Sequence, residues 1–553
     1  MLFNDLQVKW SQRQVLTPVI DRARRFRANE DGNLTIFSIT LFMLMMMIGG
    51  VAVDMMRFEN NRVALQNTLD RSTLAAAAMT QKRTPTTVVE DYFLKAGLSS
   101  YLTNVTVTQG ISFRNVKAKA AAVTETPFLA TVGVNSLAAT GWSEAEQRIN
   151  NIEISMVLDV SGSMASNNRI TNLKSAAKEF VDTVLLTDTE KKISIAIVPF
   201  NGQVNMTQTF RSKFNATNNP NVANMNCFDL PASAYTTLEM STTAPMSMTA
   251  NADTLSSTST AVGFLSPTNS QALQDPSNVW CKPSTKNVIV PPTNDISELK
   301  NVIDGLEATG ATSINAGMKW GTSLLDSSMK SLFTNMIGLG QMPPELASRP
   351  AFYADTDSMK VVILMTDGEH WAEERVQEAY KSGNSPIYRS NGDGNVSVRH
   401  TTGRPATAGA NEYYVPHQNK WLAAPWNSGG GVTQQTWPQV WARHRTSFVA
   451  WQYYAMPLGT TNSTRSTQYN NAMAMFRLQT PTSTMNSQLQ SLCTQARAKG
   501  VVIYTIAFEA PTAGQTELQA CASAPSYYFD ADGLQISTAF RAIASNISQL
   551  RLK

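Results

Sequence analysis

Twenty consecutive residues, Leu34 to Val53, carry no charged side chain. A helix of this length rises about 30 Å at roughly 1.5 Å per residue, which is the thickness of the hydrocarbon core of a bilayer. The segment therefore predicts a transmembrane helix over residues 34–53, with a buried helix of a soluble protein as the alternative. Asp54 and Arg57 follow where a cleaved signal peptide would have a small-residue cleavage site, so we expect an uncleaved anchor.

The basic residues are distributed unevenly around this span. The whole chain has a net charge of +4, and residues 1–27 alone carry +4, so the remainder sums to zero. Basic residues before a span favour an N-terminus on the inner side, which predicts a cytoplasmic basic segment over residues 1–33. A body without net charge carries no nucleic-acid footprint, so no nucleic-acid partner is expected.

An apolar pattern continues beyond the span. Apolar side chains recur at helical spacing at Phe58, Leu65, Leu69 and Ala76. Because Pro85 ends the run, we predict one helix over about residues 34–82, whose outer part lies in a helical stalk at residues 54–84. The narrow stripe could pack on another subunit, giving a homo- or hetero-oligomer, or on residues 86–148, and the pattern does not decide between them.

The rest of the chain divides into a small module and a larger domain. Residues 85–150 contain short β-like stretches with few core-sized residues, which predicts a small membrane-proximal α+β module. From residue 151 onward, apolar strands alternate with amphipathic helices, and this predicts an α/β fold with a doubly wound, mostly parallel sheet. The predicted strands are 152–158, 193–200, 361–365, 501–508 and 527–529. Two long stretches, at about 201–290 and 370–490, interrupt the alternation and are predicted to be insertions with some structure of their own.

Four cysteines occur at wide spacing, namely Cys227, Cys281, Cys493 and Cys521. The absence of C-x-x-C argues against zinc and thioredoxin-like chemistry. An even number of cysteines outside the cytoplasm suggests two disulfides, most simply Cys227–Cys281 and Cys493–Cys521. Three pairings are possible and the sequence does not decide between them, and four free buried thiols are the alternative.

Oxygen-bearing side chains follow predicted strands or precede a predicted helix at one edge of the sheet. The positions are Asp159, Ser161, Ser163, Thr312 and Asp367. In open α/β sheets ligands bind beyond the carboxyl ends of the strands, so these side chains are expected to converge. Hydroxyl and carboxylate oxygens without imidazole or thiolate select a hard divalent cation, Mg²⁺ first and Ca²⁺ or Mn²⁺ next. The alternative is a set of polar turns with N-cap residues.

In this order the residues resemble the metal-ion-dependent adhesion site (MIDAS) of the von Willebrand factor A family, whose pattern is D-x-S-x-S, a threonine in a G-x-T turn, and the aspartate of T-D-G. The resemblance implies a von Willebrand A (Rossmann-like) domain over residues 151–553. It implies that Ser161, Ser163 and Thr312 give hydroxyl oxygens to the cation, while Asp159 and Asp367 act mostly through water. A cation held in this way can accept a carboxylate from a protein partner, so the resemblance implies binding and cell adhesion.

Both ends of the chain resemble TadG-like proteins of Tad/Flp pilus assembly. The similar segments are Asn29-Glu30-Asp31-Gly32, Val53-Asp54, Leu65-Gln66-Asn67, the run Ala75–Ala78 and Cys521-Ala522-Ser523. The resemblance implies a single-pass protein of the bacterial inner membrane whose bulk is periplasmic or extracellular and binds a pilus, envelope or surface component. Phe37 stands where related pseudopilins have a glutamate, five residues after the processing-site glycine, which favours a permanent anchor.

Enzyme signatures are missing from the sequence, which contains no G-x-x-x-x-G-K-[ST], H-E-x-x-H or G-x-S-x-G. The four histidines lie in the second insertion without metal-ligand spacing. His370 lies three residues after Asp367, and we expect a surface or N-terminal-turn histidine there; a metal-assisted hydrolase is the enzyme alternative.

Two further alternatives concern the outer region. The A domain could be a structural envelope spacer that binds no functional metal, with the stalk doing the assembling. The second insertion holds six of the ten tryptophans, Trp371, Trp421, Trp426, Trp437, Trp441 and Trp451. We expect them to form the core of a small subdomain, and a partner-binding surface is the alternative.

Overall fold

The computed structural model describes residues 22–25, 27, 31–79, 81–109, 113–148, 151–186, 188–254 and 279–548. Most of the predicted basic segment 1–33 and part of the first predicted insertion lie outside the described residues. The chain divides into two compact units, with the boundary between Gln147 and Arg148.

The first unit contains a long helix, α1 (Asp31–Ala77), which includes the whole predicted span. Among the described residues it is the one helix long and apolar enough to cross a membrane. Its large apolar side chains from Leu34 to Ile48 are exposed, as expected of a surface that faces lipid. The helix ends at Ala77 rather than at the predicted residue 82. Arg114 donates from Nη1 to the Ala78 carbonyl across 2.6 Å, which satisfies a backbone acceptor just beyond the helix.

The outer half of α1 packs on the rest of the first unit. This part contains α2 (Pro85–Lys95), β1 (Leu102–Gln109), β2 (Phe113–Glu125) and β3 (Ser136–Arg148). The three strands form one sheet in the order β1-β2-β3. Leu65 and Leu69 are buried in one cluster with Phe93 of α2 and Val116 of β2. The apolar stripe of the predicted stalk therefore packs on the module of its own chain.

The described residues of the second unit form fifteen strands. They are β4 (Asn151–Asp159), β5 (Ile193–Phe200), β6 (Ala216–Thr217), β7 (Met246–Ser247), β8 (Val290–Thr293), β9 (Ser358–Thr366), β10 (Glu373–Val376), β11 (Asn384–Ser390), β12 (Val396–Arg399), β13 (Tyr413–Val415), β14 (Lys420–Leu422), β15 (Val432–Thr436), β16 (Arg477–Thr480), β17 (Val502–Phe508) and β18 (Tyr528–Ala531). Six of them form the main sheet in the order β18-β17-β9-β4-β5-β8. All neighbours whose pairing is described run parallel except β8, which runs antiparallel to β5. The predicted doubly wound, mostly parallel sheet is confirmed.

Helices cover both faces of this sheet, and further helices belong to the two insertions. Outside the insertions the helices are α3 (Arg169–Leu185), α5 (Ile296–Gly305), α6 (Ile314–Ser323), α7 (Lys330–Gly338), α12 (Thr482–Ala498), α13 (Thr512–Cys521) and α14 (Gln535–Ser548). The first insertion contains α4 (Gln208–Arg211), and the second contains α8 (Trp437–Trp441), α9 (Thr446–Phe448), α10 (Met456–Leu458) and α11 (Asn462–Phe476). On one face α3 packs on α14, where the rings of Phe180 and Phe540 meet edge to face at 5.8 Å. On the other face α6 lies directly on β4 and β5, because a Cβ at Gly317 would come within 2.6 Å of the Phe200 ring. This close approach fixes the start of α6 beside the carboxyl end of β4.

The two predicted insertions differ in how they are stabilised. In the first, Phe210, Phe228 and Met248 are buried in the same cluster as Val157 of the main sheet, so its apolar side chains extend the main core. The second has its own five-stranded sheet, β14-β13-β12-β11-β15. Its separate core includes Trp437, Trp441 and Trp451, so these three tryptophans are subdomain core, as expected. The β10–β16 pair closes the insertion, and α12 begins at Thr482. The insertion therefore ends earlier than the predicted boundary at about residue 490.

Both disulfides join segments of the second unit. Cys227 is bonded to Cys281 within the first insertion, and Cys493 of α12 is bonded to Cys521 of α13. This is the simplest of the three pairings that the sequence allows.

Candidate metal centre

Asp159 is the last residue of β4 and is fully buried. Its Oδ1 accepts a hydrogen bond from the backbone N–H of Ser161 at 2.7 Å, which turns the chain sharply after the strand. Its Oδ2 accepts from the hydroxyl of Thr366, at the end of the neighbouring strand β9. Burial, and secondarily the nearby charge of Asp367, raise the pKa of Asp159 to about 7. Asp159 thus ties the two central loops of the sheet edge together.

Three oxygens from the loops after β4 and β9 converge. The hydroxyls of Ser161 and Ser163 are 3.0 Å apart, and Asp367 Oδ1 accepts from Ser163 at 2.8 Å and from Ser161 at 3.5 Å. Oxygens that share an octahedral shell with bonds of about 2.1 Å lie roughly 3 Å from one another. The spacing of the three side chains therefore fits the shell of a small hard cation. Among the described residues no group of three or more His, Cys, Asp or Glu could hold a metal, so a site here would depend on hydroxyls.

Thr312 lies in the loop that precedes α6. Two backbone hydrogen bonds join this loop to the loop after β4: Gly162 N–H donates to Gly310 at 2.9 Å, and Thr309 N–H donates to Val160 at 2.8 Å. Gly310 has a φ of +81°, a conformation that a glycine adopts without strain. A Cβ at Gly368 would lie 3.8 Å from Thr312 Oγ1, so the threonine hydroxyl borders the Asp367 loop. Within the described chain the Thr312 hydroxyl is not hydrogen-bonded to the other four predicted ligands.

Arg169, at the start of α3, completes the site and is not among the predicted residues. Its Nη1 donates to Asp367 Oδ2 at 2.7 Å and its Nε donates to Glu509 Oε2 at 2.9 Å. Glu509 directly follows β17, and the hydrogen bond from Arg169 lowers the pKa of Glu509. The same strand-end rule that identified Asp159 could have identified Glu509. With Asp159 included, three carboxylates and one guanidinium lie at this edge of the sheet.

His370 is buried, so the expectation of a surface histidine is wrong, although the residue does lie at the N-terminal turn of α6. Its Nε2 accepts from the backbone N–H of Asn315 at 3.0 Å, and its Nδ1 is 2.6 Å from Asn486 Oδ1. Burial lowers the pKa of His370 to about 4. Both ring nitrogens are engaged, and the neutral ring caps α6. The next residue is Trp371, whose backbone N–H donates to the Thr312 carbonyl at 2.9 Å. This segment therefore holds the Thr312 loop in place.

The residues fit a hard divalent cation. Ser161 and Ser163 offer hydroxyl oxygens, Asp367 offers Oδ1, and the Thr312 hydroxyl borders the Asp367 loop. The buried carboxylate of Asp159 is held by Ser161 and Thr366, so it would act from behind the serine hydroxyls. The geometry suits binding, since a site lined by hydroxyls leaves a bound cation electrophilic toward an incoming oxygen.

Several solved structures share features of the chain at low identity. The pilus adhesin SpaC from Lactobacillus rhamnosus GG matches 81% of this chain at 12% identity with a TM-score of 0.29, and this chain covers 34% of SpaC. The vWF domain of the type V pili tip protein Mfa5 from Porphyromonas gingivalis matches 73% of this chain at 13% identity with a TM-score of 0.30, over 97% of its own length. The adhesive tip pilin GBS104 from Group B Streptococcus agalactiae matches 72% at 12% identity, TM-score 0.29, over its full length (100%). The assignment of the fold rests on the order and the parallel pairing of the strands in the main sheet.

The sequence comparisons bear on the N-terminal region. No curated protein matches the chain. Residues 32–79 match the family model described as putative Flp pilus-assembly TadE/G-like. The matched segment contains the apolar span and the Leu65–Ala78 stretch on which the sequence resemblance was based. The chain thus carries a TadE/G-like Flp pilus-assembly segment at its N-terminal end, as the sequence predicted.

Proposed function

We propose that this chain is a membrane-anchored, cation-dependent protein-binding component of Tad/Flp-type pilus assembly or adhesion. Its second unit would hold Mg²⁺, or Ca²⁺ or Mn²⁺, at a MIDAS-type site formed by Asp159, Ser161, Ser163, Thr312 and Asp367. The bound cation would engage an acidic side chain of a pilus, envelope or surface partner. We assign it a binding role and no enzymatic one.

The observation that carries this proposal is the convergence of Ser161, Ser163 and Asp367 Oδ1 within 2.8 to 3.5 Å of one another. Asp367 lies 206 positions after Ser161 and 204 after Ser163, and the parallel pairing of β4 with β9 places the two loops side by side. Hydroxyl and carboxylate oxygens at this spacing suit a small hard cation. A cation whose charge is only partly neutralised by its shell attracts a further carboxylate from outside.

The location follows from α1 and the TadE/G-like segment. The exposed apolar surface of α1 from residue 34 to 48 supports a bilayer span, and the Arg-rich stretch before it supports an N-terminus in the cytoplasm. We propose a bacterial inner membrane with the second unit on the outer side. The two disulfides support an oxidising compartment such as the periplasm.

The decisive experiment is capture of partners by the full chain in lipid nanodiscs. The wild type, Ser161→Ala and Ser166→Ala would each be incubated with sheared pili and envelope proteins, in Mg²⁺ or in EDTA. Ser166 is an exposed residue of the same turn and provides a matched control. We expect Mg²⁺-dependent capture of pilus components by the wild type and Ser166→Ala, and its loss in Ser161→Ala. If the wild type captures the same components in EDTA as in Mg²⁺, and Ser161→Ala captures them as well as the wild type does, the proposal is rejected.

One observation favours a second candidate, an envelope spacer without functional metal. Arg169 already pairs with Asp367 at 2.7 Å and Glu509 at 2.9 Å, so part of the negative charge is balanced without a cation. Truncation after Gln147 separates the candidates, because it removes the second unit and keeps the first. Pilus assembly that proceeds with the truncated chain supports the spacer, and assembly that stops supports the binding function.

A further inference from the structure

A loop of the first unit exposes an uncharged, apolar surface. Residues 126–139 contain no charged side chain. Within this stretch Phe128, Val132 and Val134 are 45%, 58% and 40% exposed. All three side chains lie within residues 126–135, which form one loop, named the 126–135 loop. Apolar side chains exposed together in this way are typical of a surface that another apolar phase covers.

The loop has a defined structure that holds these side chains outward. Thr126 donates from its hydroxyl to the Val134 carbonyl at 2.6 Å, and its N–H donates to the Asn135 carbonyl at 3.1 Å. Between them a 3₁₀ turn runs from Leu129 to Val132. The two ends of the loop are therefore closed on each other, and the exposure of Val132 follows from this conformation.

The loop is attached to α1 where the apolar span ends. Asp54, the first residue after the span, is fully buried, and its Oδ2 accepts from the N–H groups of Phe128 and Leu129, both at 2.9 Å. The Phe128 ring lies against the helix at Gly50, where a Cβ would overlap it. Gly50 is three residues inside the end of the span, which is about 4.5 Å along the helix axis. The loop thus lies at the level where the hydrocarbon core gives way to the outer headgroups.

We propose that the 126–135 loop is a second membrane-binding element, which inserts Phe128, Val132 and Val134 into the outer interface of the bilayer that α1 crosses. The inference rests on the proposed membrane anchoring. The occupant is lipid because Phe128 lies on α1 within the apolar span and the exposed side chains of the loop carry no charge that would hold them in water. Asp54 is the positioning residue, since its two hydrogen bonds keep the loop at this depth.

The test measures the depth of single labels in the full chain, reconstituted in phosphatidylcholine–phosphatidylglycerol vesicles. All four cysteines are in disulfides, so one introduced cysteine can carry an environment-sensitive fluorophore. The variants are Val132→Cys, Met45→Cys within the span, and Leu94→Cys on α2, which is 68% exposed and serves as the water-facing control. Each is quenched by aqueous iodide and by lipids with nitroxides at shallow or deep positions.

We expect iodide quenching at position 132 to be about threefold or more weaker than at position 94, with stronger quenching by the shallow nitroxide than by the deep one. The label at position 45 should respond to the deep nitroxide. Adding Asp54→Ala should restore iodide quenching at position 132 and leave position 45 unchanged, with native proteolytic resistance as the check on folding. This combination would support the inference.

Three results would overturn it, each in a distinguishable way. If position 45 is open to iodide, the proposed anchoring itself fails. If position 45 is lipid-quenched while position 132 behaves like position 94, the span stands and the loop does not bind lipid. If position 132 is shielded from iodide yet insensitive to both nitroxides, a protein surface covers the loop instead of the bilayer.

Discussion

Arg169 donates from Nη1 to Asp367 Oδ2 across 2.7 Å and from Nε to Glu509 Oε2 across 2.9 Å. The Asp367 carboxylate is fully buried, and burying a carboxylate without a counter-charge is costly. Arg169 therefore lets the site fold before any cation arrives. Because Arg169 binds Oδ2 of Asp367, the other carboxylate oxygen, Oδ1, faces Ser163. The Ser163 hydroxyl lies 2.8 Å from Oδ1.

Replacing Arg169 by glutamine should make the second unit depend more strongly on a cation. The change removes the positive charge and leaves Asp159, Asp367 and Glu509 as neighbours, so we expect a loss of about 2–3 kcal/mol of folding stability in EDTA. Mg²⁺ should raise the melting temperature of Arg169→Gln by more than that of the wild type, because it relieves the added repulsion. Thermal unfolding in EDTA and in Mg²⁺ measures both effects.

Arg541→Gln is the matched control, because the ion pair of Arg541 with Glu179 is largely exposed and should contribute little. We expect its melting temperature to equal that of the wild type in both buffers. A smaller Mg²⁺ response in Arg169→Gln than in the wild type would show that Arg169 shapes the site rather than balancing its charge.

Thr312→Val should weaken Mg²⁺ binding while leaving the fold stable. Valine has the shape of threonine without the hydroxyl, and the structure places that hydroxyl at the Asp367 loop without a hydrogen bond to the other predicted ligands. Loss of one neutral ligand oxygen should lower Mg²⁺ affinity about tenfold, which is roughly 1.4 kcal/mol. Isothermal titration of the full chain in detergent with Mg²⁺ measures the change.

The adjacent residue provides the control for Thr312. Ser313 Oγ is buried and has no hydrogen-bond partner within the described chain, so Ser313→Ala removes a hydroxyl one position away from the proposed ligand. Its Mg²⁺ affinity should match the wild type. If both variants bind Mg²⁺ as the wild type does, Thr312 is not a ligand and the proposed set shrinks to the loops after β4 and β9.

His370 should make the fold acid-sensitive. Its pKa is about 4 in the fold and roughly 6.5 when unfolded, so above pH 6.5 both states are neutral and the group contributes no pH dependence. As the pH falls below 6.5, His370 binds a proton in the unfolded state but stays neutral in the folded state until the pH approaches 4. Stability then declines, by about 2 kcal/mol at pH 5 from this residue alone.

His370→Gln should remove this part of the acid sensitivity. The glutamine amide can accept from the Asn315 N–H and donate to Asn486 without titrating. Denaturant unfolding at pH 8 and at pH 5 gives the loss for each protein, and the loss should be about 2 kcal/mol smaller in the variant. An equal loss in both proteins would mean that the ring protonates as readily in the fold as in the unfolded chain.

Some residues of the site can be recognised from the sequence that surrounds them, and others cannot. Asp159 and Asp367 each follow an apolar strand, and a parallel sheet brings such strand ends together, so their neighbourhood could be predicted. Arg169 meets Glu509 across 340 positions, and nothing in the residues beside either one indicates the pairing. A basic residue at the start of a helix has no distinctive local pattern, which is why Arg169 was missed.

The insertions illustrate the same limit. The tryptophans of the second insertion indicated a separate core, and Trp437 and Trp441 are stacked within one. In the first insertion a polar composition concealed Phe210 and Phe228, which are buried in the main core. Composition averages over a segment, whereas burial depends on a few side chains that reach neighbours far away in the sequence.

The centre of the main sheet contains a buried ion pair whose removal should be costly. Glu153 of β4 and Lys360 of β9 are direct partners in the parallel register, their charged atoms are 2.5 Å apart, and both side chains are almost completely buried. Lys360→Met removes the direct ion-pair partner of the buried Glu153 and leaves only the more distant charge of Arg349 near it, for which we expect a loss of about 3–5 kcal/mol. Denaturant unfolding of the full chain in detergent measures this loss.

Glu153→Gln combined with Lys360→Met should recover most of that loss, because both buried charges are then removed. The Glu153 side chain also accepts from the Ala351 N–H at 2.7 Å, and the amide oxygen of the substituted glutamine can accept the same hydrogen bond. The coupling between the two substitutions should be at least about 3 kcal/mol, because it includes the recovered loss, and this is well above the error of additivity for distant sites. Simple additivity of the two single losses would contradict this account, because each charge would then be stabilised independently of the other.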